Sequence, residues 1–270
     1  LAKGGEIMSD DEQLFVFDKS DLVQTTSQLL IDGHLAVADS WLVEDGRVRN
    51  LNEHFKRFEA WATDLVERTD FEIFFQSVIE QIPAEGRWFP RIELLLNSAT
   101  LENQLVFRLR AAPDQIDSMT LWSYTEPDPR INPLVKGPDL SLGLQMRRAA
   151  QMHGADEAVI LNTDGFILEG ALSALVWFRD EVLCAPGNDL AWIPSITRME
   201  VFAIAEQMGL ATRTEKVKPA DLVDLEIWGL SSLHGIRPVA EWVDLGGPVG
   251  PARHLEAFSK RLRMLSTSIK

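Results

Sequence analysis

Residues 136–170 read KGPDLSLGLQMRRAAQMHGADEAVILNTDGFILEG, and the reading of this stretch decides the fold. Lys136 stands beside Gly137 and Pro138, a pair that bends the backbone sharply. Leu142, Met146, Ala149 and Ala150 then recur at helical spacing and Gly154 supplies a stop, so the pattern predicts a helix over Ser141–His153. Ala158–Leu161 and Phe166–Glu169 read as strands joined at the Thr163-Asp164-Gly165 turn. A helix followed by a hairpin folds back on itself. Lys136 at its start and Glu169 at its end can therefore face one pocket.

Toward the C-terminus, Leu172–Phe178 and Val182–Cys184 continue the series of strands, and Leu190–Pro194 is a loop. Ile196–Met208 is a helix closed by Gly209, and Pro219–Val223 is a helical turn. Arg213–Val217, Ile227–Ser231 and Val239–Val243 are strands, and Ala252–Leu265 is a closing amphipathic helix. On the N-terminal side, Glu126–Asn132 carries two prolines and reads as a linker after a strand at Met119–Tyr124. The first half offers strands at Leu14–Phe17, Ser27–Ile31 and His34–Glu44, the last turning back at Asp45-Gly46, where both positions tolerate positive φ. Two helices follow, Glu53–Glu67 capped by Asn52 and Phe71–Gln81 capped by Asp70. Strands at Trp88–Leu96 and Gln104–Arg110 complete an α+β domain. The expected organisation is a two-domain α/β (α+β) chain, with residues 9–122 as the first domain and 123–270 as the second.

A chain of 270 residues has room for two domains with sizeable cores. The formal charge of -15 argues against nucleic-acid or anionic-membrane partners, though not against a local basic pocket for a small anion. No apolar run approaches the roughly 18 residues of a membrane span. No secretory signal pattern opens the chain. Leu1–Ile7, ahead of Met8, read as foreign to the fold, and residues 9–12 as frayed. Cys184 is the only cysteine, which rules out an internal disulfide and fits a reducing, cytoplasmic setting. His34, His153, His234 and His254 show no ligand spacing, so no metal is expected.

Several residues invite a chemical reading beside a plainer one. Lys136 could be a Schiff-base lysine, which needs partial desolvation to be nucleophilic; alone it reads more readily as a solvated loop lysine. Glu169 ends an apolar strand and could pair with a pyridinium nitrogen, or simply meet solvent. Ser195-Ile196-Thr197-Arg198 opens a helix, where unused backbone N–H groups and a threonine hydroxyl suit a phosphate; an ordinary serine cap is the alternative. Ser231 and Ser232 could add hydroxyl donors or satisfy a turn. His54 and Arg57 share a helix face that could present a guanidinium fork to a phosphate, or only a solvated surface. Ser40, Arg91, Arg108 and Arg237 could each meet a substrate carboxylate, and each also has a structural reading.

Taken in order, these pieces resemble the class IV family of pyridoxal-phosphate enzymes, which holds branched-chain and D-amino-acid aminotransferases and 4-amino-4-deoxychorismate lyases. The resemblance runs from about Val37 to Val239. It rests on residues 136–170, on NEHFKRF with its His-x-x-Arg spacing, on PSITRMEVFAIAEQMG, and on SSLHGIRPV. It implies a small α/β first domain, a pseudobarrel second domain and pyridoxal 5'-phosphate between them, in a homodimer acting on a small amino-group-bearing carboxylic acid. By position, Lys136 would hold the cofactor as an aldimine and move the α-proton, and Glu169 would bind the pyridine nitrogen. Arg57, the backbone of Ile196 and Thr197, the Thr197 hydroxyl and Ser232 would hold the phosphate. Arg91 and Arg237 would meet the substrate. Ser195 replaces the family's usual glycine, and the usual Asp-Arg and Gly-Asp pieces before the hairpin are missing. Ser141 stands where many of the transaminases carry a tyrosine, and Ser40 falls about where the lyases place a threonine hydroxyl. Ser141 leans away from a standard branched-chain transaminase and Ser40 leans toward the lyase, with an amino-acid transaminase and a non-catalytic anion-binding member as alternatives.

Overall fold

The computed structural model describes residues 12–270, so the expectations for Leu1–Ile7 and for residues 9–11 lie outside the described residues. The chain divides into two compact units, residues up to 114 together with 266–270, and residues 115–265. The strand Met119–Tyr124, across which the 122/123 division was expected, lies wholly in the second unit.

In the first unit, β1 (Gln13–Phe17) pairs with β2 (Leu22–Gln24) as a tight hairpin. The strand expected at Ser27–Ile31 is instead a short 3-10 turn at Ser27–Leu29. Phe15, Val16 and Phe17 take their partners from Leu22–Gln24, so the pairing is complete before Ser27 is reached. The expected long strand His34–Glu44 is split into β3 (His34–Ser40) and β4 (Val43–Glu44), which belong to different sheets. Asp45 and Gly46 both have positive φ, as the hairpin signal required, and return the chain into β5 (Arg47–Arg49).

Helix α1 spans Leu51–Ala62, with left-handed Asn50 at its N-cap rather than Asn52. Phe55, Phe58 and Ala62 form its buried stripe. Helix α2 spans Arg68–Gln81, and Asp70 lies in its first turn instead of capping it. Phe55 and Phe75 stack across the two helices with ring centroids 4.1 Å apart. The run after α2 breaks at Phe89-Pro90 into β6 (Arg87–Trp88) and β7 (Arg91–Leu96), since proline cannot donate to a ladder. Strand β8 (Asn103–Leu109) completes a five-stranded sheet in the order β2-β1-β8-β7-β3.

The second unit is a single eight-stranded sheet with helices on its outer face. Its strands are β9 (Met119–Tyr124), β10 (Glu157–Leu161), β11 (Ile167–Gly170), β12 (Ala174–Arg179), β13 (Val182–Pro186), β14 (Ala211–Glu215), β15 (Glu226–Ser231) and β16 (Gly235–Trp242). They run in the order β11-β10-β9-β16-β15-β12-β13-β14. Helices α3 (Leu140–Met152) and α4 (Ile196–Gln207) begin within a residue of where the apolar spacing placed them, whereas α5 (Leu255–Met264) is shorter than expected.

The sheet curls until its edges meet. The N–H of Ile167, on edge strand β11, donates to the carbonyl of Val217, just beyond β14 at the other edge, at 2.9 Å. Inside the curl, Met119, Leu121, Val159, Ile167, Leu175, Trp177, Ile227 and Val239 form one core. Each such side chain contributes roughly 1.5–3 kcal/mol on burial. Outside it, Val176, Phe178, Trp228 and Leu230 pack under α4 and α5, while Ala158, Ile160 and Leu168 pack under α3 with Met146 and Ala150. This alternation of neighbours along each strand is the two-residue period of a sheet covered on both faces. Residues 266–268 form β17, which pairs antiparallel with β5 in a small sheet of order β17-β5-β4-β6.

Candidate active site

The organising stretch brings its two ends together. Lys136 occupies the turn before α3, where Gly137 takes φ 135°, a value that L side chains rarely adopt. Glu169 sits opposite Ile160 at a register shift between β10 and β11, so it faces the α3 side of the sheet and not the interior of the curl. It is 5% exposed. Burial pushes its carboxyl up to about 7, against the pull of Arg130, the Ile193 N–H and the charge of Lys136. That Lys136 acts on this carboxylate puts the amine and the acid within electrostatic reach of one another.

Arg130 is the residue that inspection of the sequence missed. It lies in the segment taken for a linker, yet its guanidinium is buried. Its Nη1 donates to Oε1 of Glu169. Its Nε and Nη2 donate to the two oxygens of Asp128 at 3.0 and 2.8 Å, and Nη2 also reaches the Ala191 carbonyl at 3.2 Å. Burial works against the Arg130 charge, but Asp128 and Glu169 more than offset it and hold its pKa above the usual value. The signal was present as Asp128-Pro129-Arg130, an acid and a base two residues apart on a rigid backbone.

The Ile193 N–H donates to the same Oε1 of Glu169 at 3.0 Å. Among the described residues, no hydrogen bond reaches Oε2. The loop carrying Ile193 is fixed from behind. The Arg198 guanidinium lies 3.6 Å from the centroid of the Trp192 ring, and Trp192 Nε1 donates to the Gly187 carbonyl at 2.8 Å. Burial brings the Arg198 pKa down to about 10, with the Glu169 charge opposing that shift.

The loop ends at Ser195, the N-cap of α4, whose hydroxyl accepts from the Arg198 N–H at 3.2 Å. Ile196 and Thr197 are both buried, and among the described residues nothing accepts from their backbone N–H groups. Buried, unused donors at the start of a twelve-residue helix make a ready anion site. Ser232 follows β15 in the turn to β16, beside Ser231, whose hydroxyl accepts from the His234 N–H.

Arg237 is not brought to this group. It alternates with Ile236, which packs under α5, so it points into the curl along with Val239. There it faces Glu157, whose carboxyl burial pushes up to about 6 and which accepts from Ser173 Oγ at 3.2 Å. The register thus puts Arg237 and Glu169 on opposite faces of the sheet.

In the first unit, the His-x-x-Arg pair of α1 converges on Asp39 of β3. Arg57 donates through Nε and Nη2 at 2.7 and 2.8 Å, and His54 Nδ1 lies 2.8 Å from Oδ1. Asp39 is fully buried; burial opposes its ionisation, but Arg57 and His54 hold its carboxyl well below the usual range. Asp39 was also overlooked. An acid at the inward position of the strand HLAVADS must find a partner, and that was the legible clue. Ser40 points to the other face, directly opposite Arg91 on β7. Arg91 Nε lies 2.8 Å from Oε1 of Glu93 but off hydrogen-bond geometry, while Oε2 of Glu93 accepts from Arg108 at 2.9 Å. Ser40 and Arg91 are thus brought side by side.

The family model of amino-transferase class IV matches residues 36–242. An aminodeoxychorismate lyase of Vibrio harveyi is 28% identical over 99 residues, 36% of each chain. A branched-chain-amino-acid aminotransferase of Escherichia coli K12 is 29% identical over 101 residues, 37% of this chain and 33% of that protein. The alignments therefore span about a third of the length of these relatives. A structure described as a hypothetical aminotransferase from Mycobacterium tuberculosis in its PLP-bound form superposes with a TM-score of 0.78 over 94% of this chain and 98% of that one, at 18% identity, a likeness of fold. With more than half of its length matched by the family model, the chain belongs to the class IV aminotransferases, a family of enzymes that work with pyridoxal phosphate.

Proposed function

We propose that this protein acts on a small amino-group-bearing carboxylic acid in the manner of an aminodeoxychorismate lyase, releasing an aromatic amine and pyruvate. The observation that carries the reading is the group formed by half-buried Lys136, buried Glu169 and the buried start of α4. Its donors and acceptors fit the cofactor. Among the described residues Glu169 Oε2 is uncommitted and suits a ring N–H, and the N–H groups of Ile196 and Thr197 suit phosphate oxygens. When bound, pyridoxal phosphate supplies an electron sink for charge developing beside the substrate amino group. Lys136 Nζ would hold the cofactor and carry the proton taken from the substrate carbon. The Thr197 hydroxyl, Ser232 and Arg57 are further phosphate donors on the strength of the motifs, and the Asp39 pairing fixes the plane of the Arg57 guanidinium.

The lean toward the lyase comes from Ser141 at the tyrosine position and from Ser40, set opposite Arg91. In this reading Arg91 orients a substrate carboxylate and the Ser40 hydroxyl passes a proton to the departing group. The second reading is an amino-acid transaminase, favoured by the aligned region shared with branched-chain-amino-acid aminotransferases. One pair of assays separates the two. Release of 4-aminobenzoate and pyruvate from aminodeoxychorismate without a keto-acid acceptor supports the lyase. Conversion of the cofactor to its amine form by an L- or D-amino acid, with no such release, overturns it. A homodimer in the cytoplasm accords with the family resemblance and the lone, buried Cys184; sedimentation reads the former.

A further inference from the structure

We infer that Arg130 is a positioning residue for the ring-nitrogen carboxylate: backed by Asp128, it pins Oε1 of Glu169 so that Oε2 is presented to the ligand. The inference rests on the proposed role of Glu169 and deepens it. A carboxylate has two acceptor oxygens, and here the two are treated differently. Oε1 takes both hydrogen bonds, one from Arg130 Nη1 and one from the Ile193 N–H, whereas among the described residues Oε2 takes none. Two donors on a single oxygen fix both the rotation of the carboxyl and its distance from the strand.

Arg130 is itself held by a nearly complete fork. Both Asp128 oxygens and the Ala191 carbonyl accept from it, which leaves its guanidinium little freedom to follow Glu169 if that residue turns. A guanidinium buried in this way is unfavourable unless it is paired, and Asp128, the Ala191 carbonyl and Glu169 together supply its partners. Among the described residues, the charged groups that face Glu169 are Arg130 from residues 125–132, Lys136 from the turn before α3, and Arg198 from α4. Of these, Arg130 is the one hydrogen-bonded to Glu169, and Lys136 is already assigned to the chemistry. Arg130 therefore carries two tasks, orientation and retention of the negative charge that a ring N–H requires.

The test compares holoenzyme of wild type, Arg130→Met, Arg130→Lys and Asp128→Asn. Three quantities are read: the cofactor dissociation constant by absorbance, the pH dependence of the bound-cofactor spectrum, and the titration of the Glu169 carboxyl by carbon-13 NMR in the cofactor-free protein. In R130M the Glu169 midpoint moves up by about one pH unit or more, equivalent to tenfold or more in proton affinity. Cofactor affinity at neutral pH falls by a similar factor, R130K recovers part of both, and D128N falls between R130K and wild type. A purely structural tie would lower the melting temperature of R130M and leave the midpoint and the spectral pH profile in place, and that outcome overturns the inference. If R130M does not fold, R130K decides: an unchanged midpoint and unchanged affinity refute the inference, and a raised midpoint with weakened binding supports it. A wild-type protein that takes up no cofactor removes the proposed role of Glu169 and the inference with it, whereas a wild type that binds with an indifferent R130M removes only the inference.

Discussion

Replacing Glu169 by glutamine exchanges a buried acid for a neutral group of nearly the same shape. The consequence for stability depends on pH. The carboxyl is pushed up to about 7 from a reference of 4.5. A raised acid binds its proton more tightly in the folded chain than in the unfolded one, so stability falls as pH rises through the interval from 4.5 to about 7, and the full cost is present above it. The rise to about 7 corresponds to about 3 kcal/mol at 1.36 kcal/mol per pH unit. That figure already nets the burial cost against the attraction of Arg130 and Lys136. Glu169→Gln should therefore stabilise the cofactor-free protein by about 3 kcal/mol at pH 8 and by about 1 kcal/mol or less at pH 5. The same substitution removes the acceptor charge and weakens cofactor binding about tenfold or more, the worth of one charge-assisted hydrogen bond. The assay is urea unfolding of apo wild type and variant at both pH values, beside a cofactor titration at pH 8. A gain of equal size at pH 5 and 8, or a loss at pH 8, would refute the reasoning, because either would mean that Glu169 is not a buried acid held ionised at a cost.

Other outcomes follow from the same geometry. Lys136→Ala abolishes turnover while near- and far-UV circular dichroism stay unchanged, and it moves the Glu169 midpoint further up, since the lysine charge now holds it down; retained turnover excludes the lysine from the chemistry. Asp39→Ala removes the buried carboxylate that Arg57 and His54 share and costs about 3–5 kcal/mol in urea unfolding, whereas Asp39→Asn keeps the shape and costs less. Gly143→Ala puts a Cβ 2.8 Å from the Ala171 carbonyl oxygen, so α3 must shift off the strand hairpin, with a loss of about 1–3 kcal/mol read as a lower melting temperature. Ser40→Ala abolishes release of pyruvate and aromatic amine but spares cofactor binding; unchanged release excludes the hydroxyl from proton transfer.

The second unit was legible nearly strand by strand because its alternation is strong and its turns carry glycine. Asp164-Gly165 and Gly154 lie where the hairpin and helix stop were expected, and Gly154 and Gly165 both have positive φ. The first unit was less legible. His34–Glu44 looked continuous, but the strand crosses from one sheet to another at Trp41-Leu42, a choice made by tertiary pairing and invisible to local periodicity. Ser27–Ile31 has strand-like composition, yet its partner strand was already occupied. At the site, Lys136 and Glu169 were legible as the two ends of one helix-and-hairpin stretch, and Arg57 through its His-x-x-Arg spacing. Arg130 and Asp39 escaped because a buried ion pair is defined by two positions distant in sequence, 130 with 169 and 39 with 57, and one chain offers no signal that links them.

The order in which the strands pair has a bearing on biosynthesis. Strand β17, at residues 266–268, completes the small sheet by joining β5, at residues 47–49, although the whole of the second unit intervenes in sequence. A ribosome extruding this chain exposes β5 with one side unpaired until the whole of the second unit has emerged. During that time the nascent first unit presents an open edge, the feature by which growing polypeptides invite chaperones or one another.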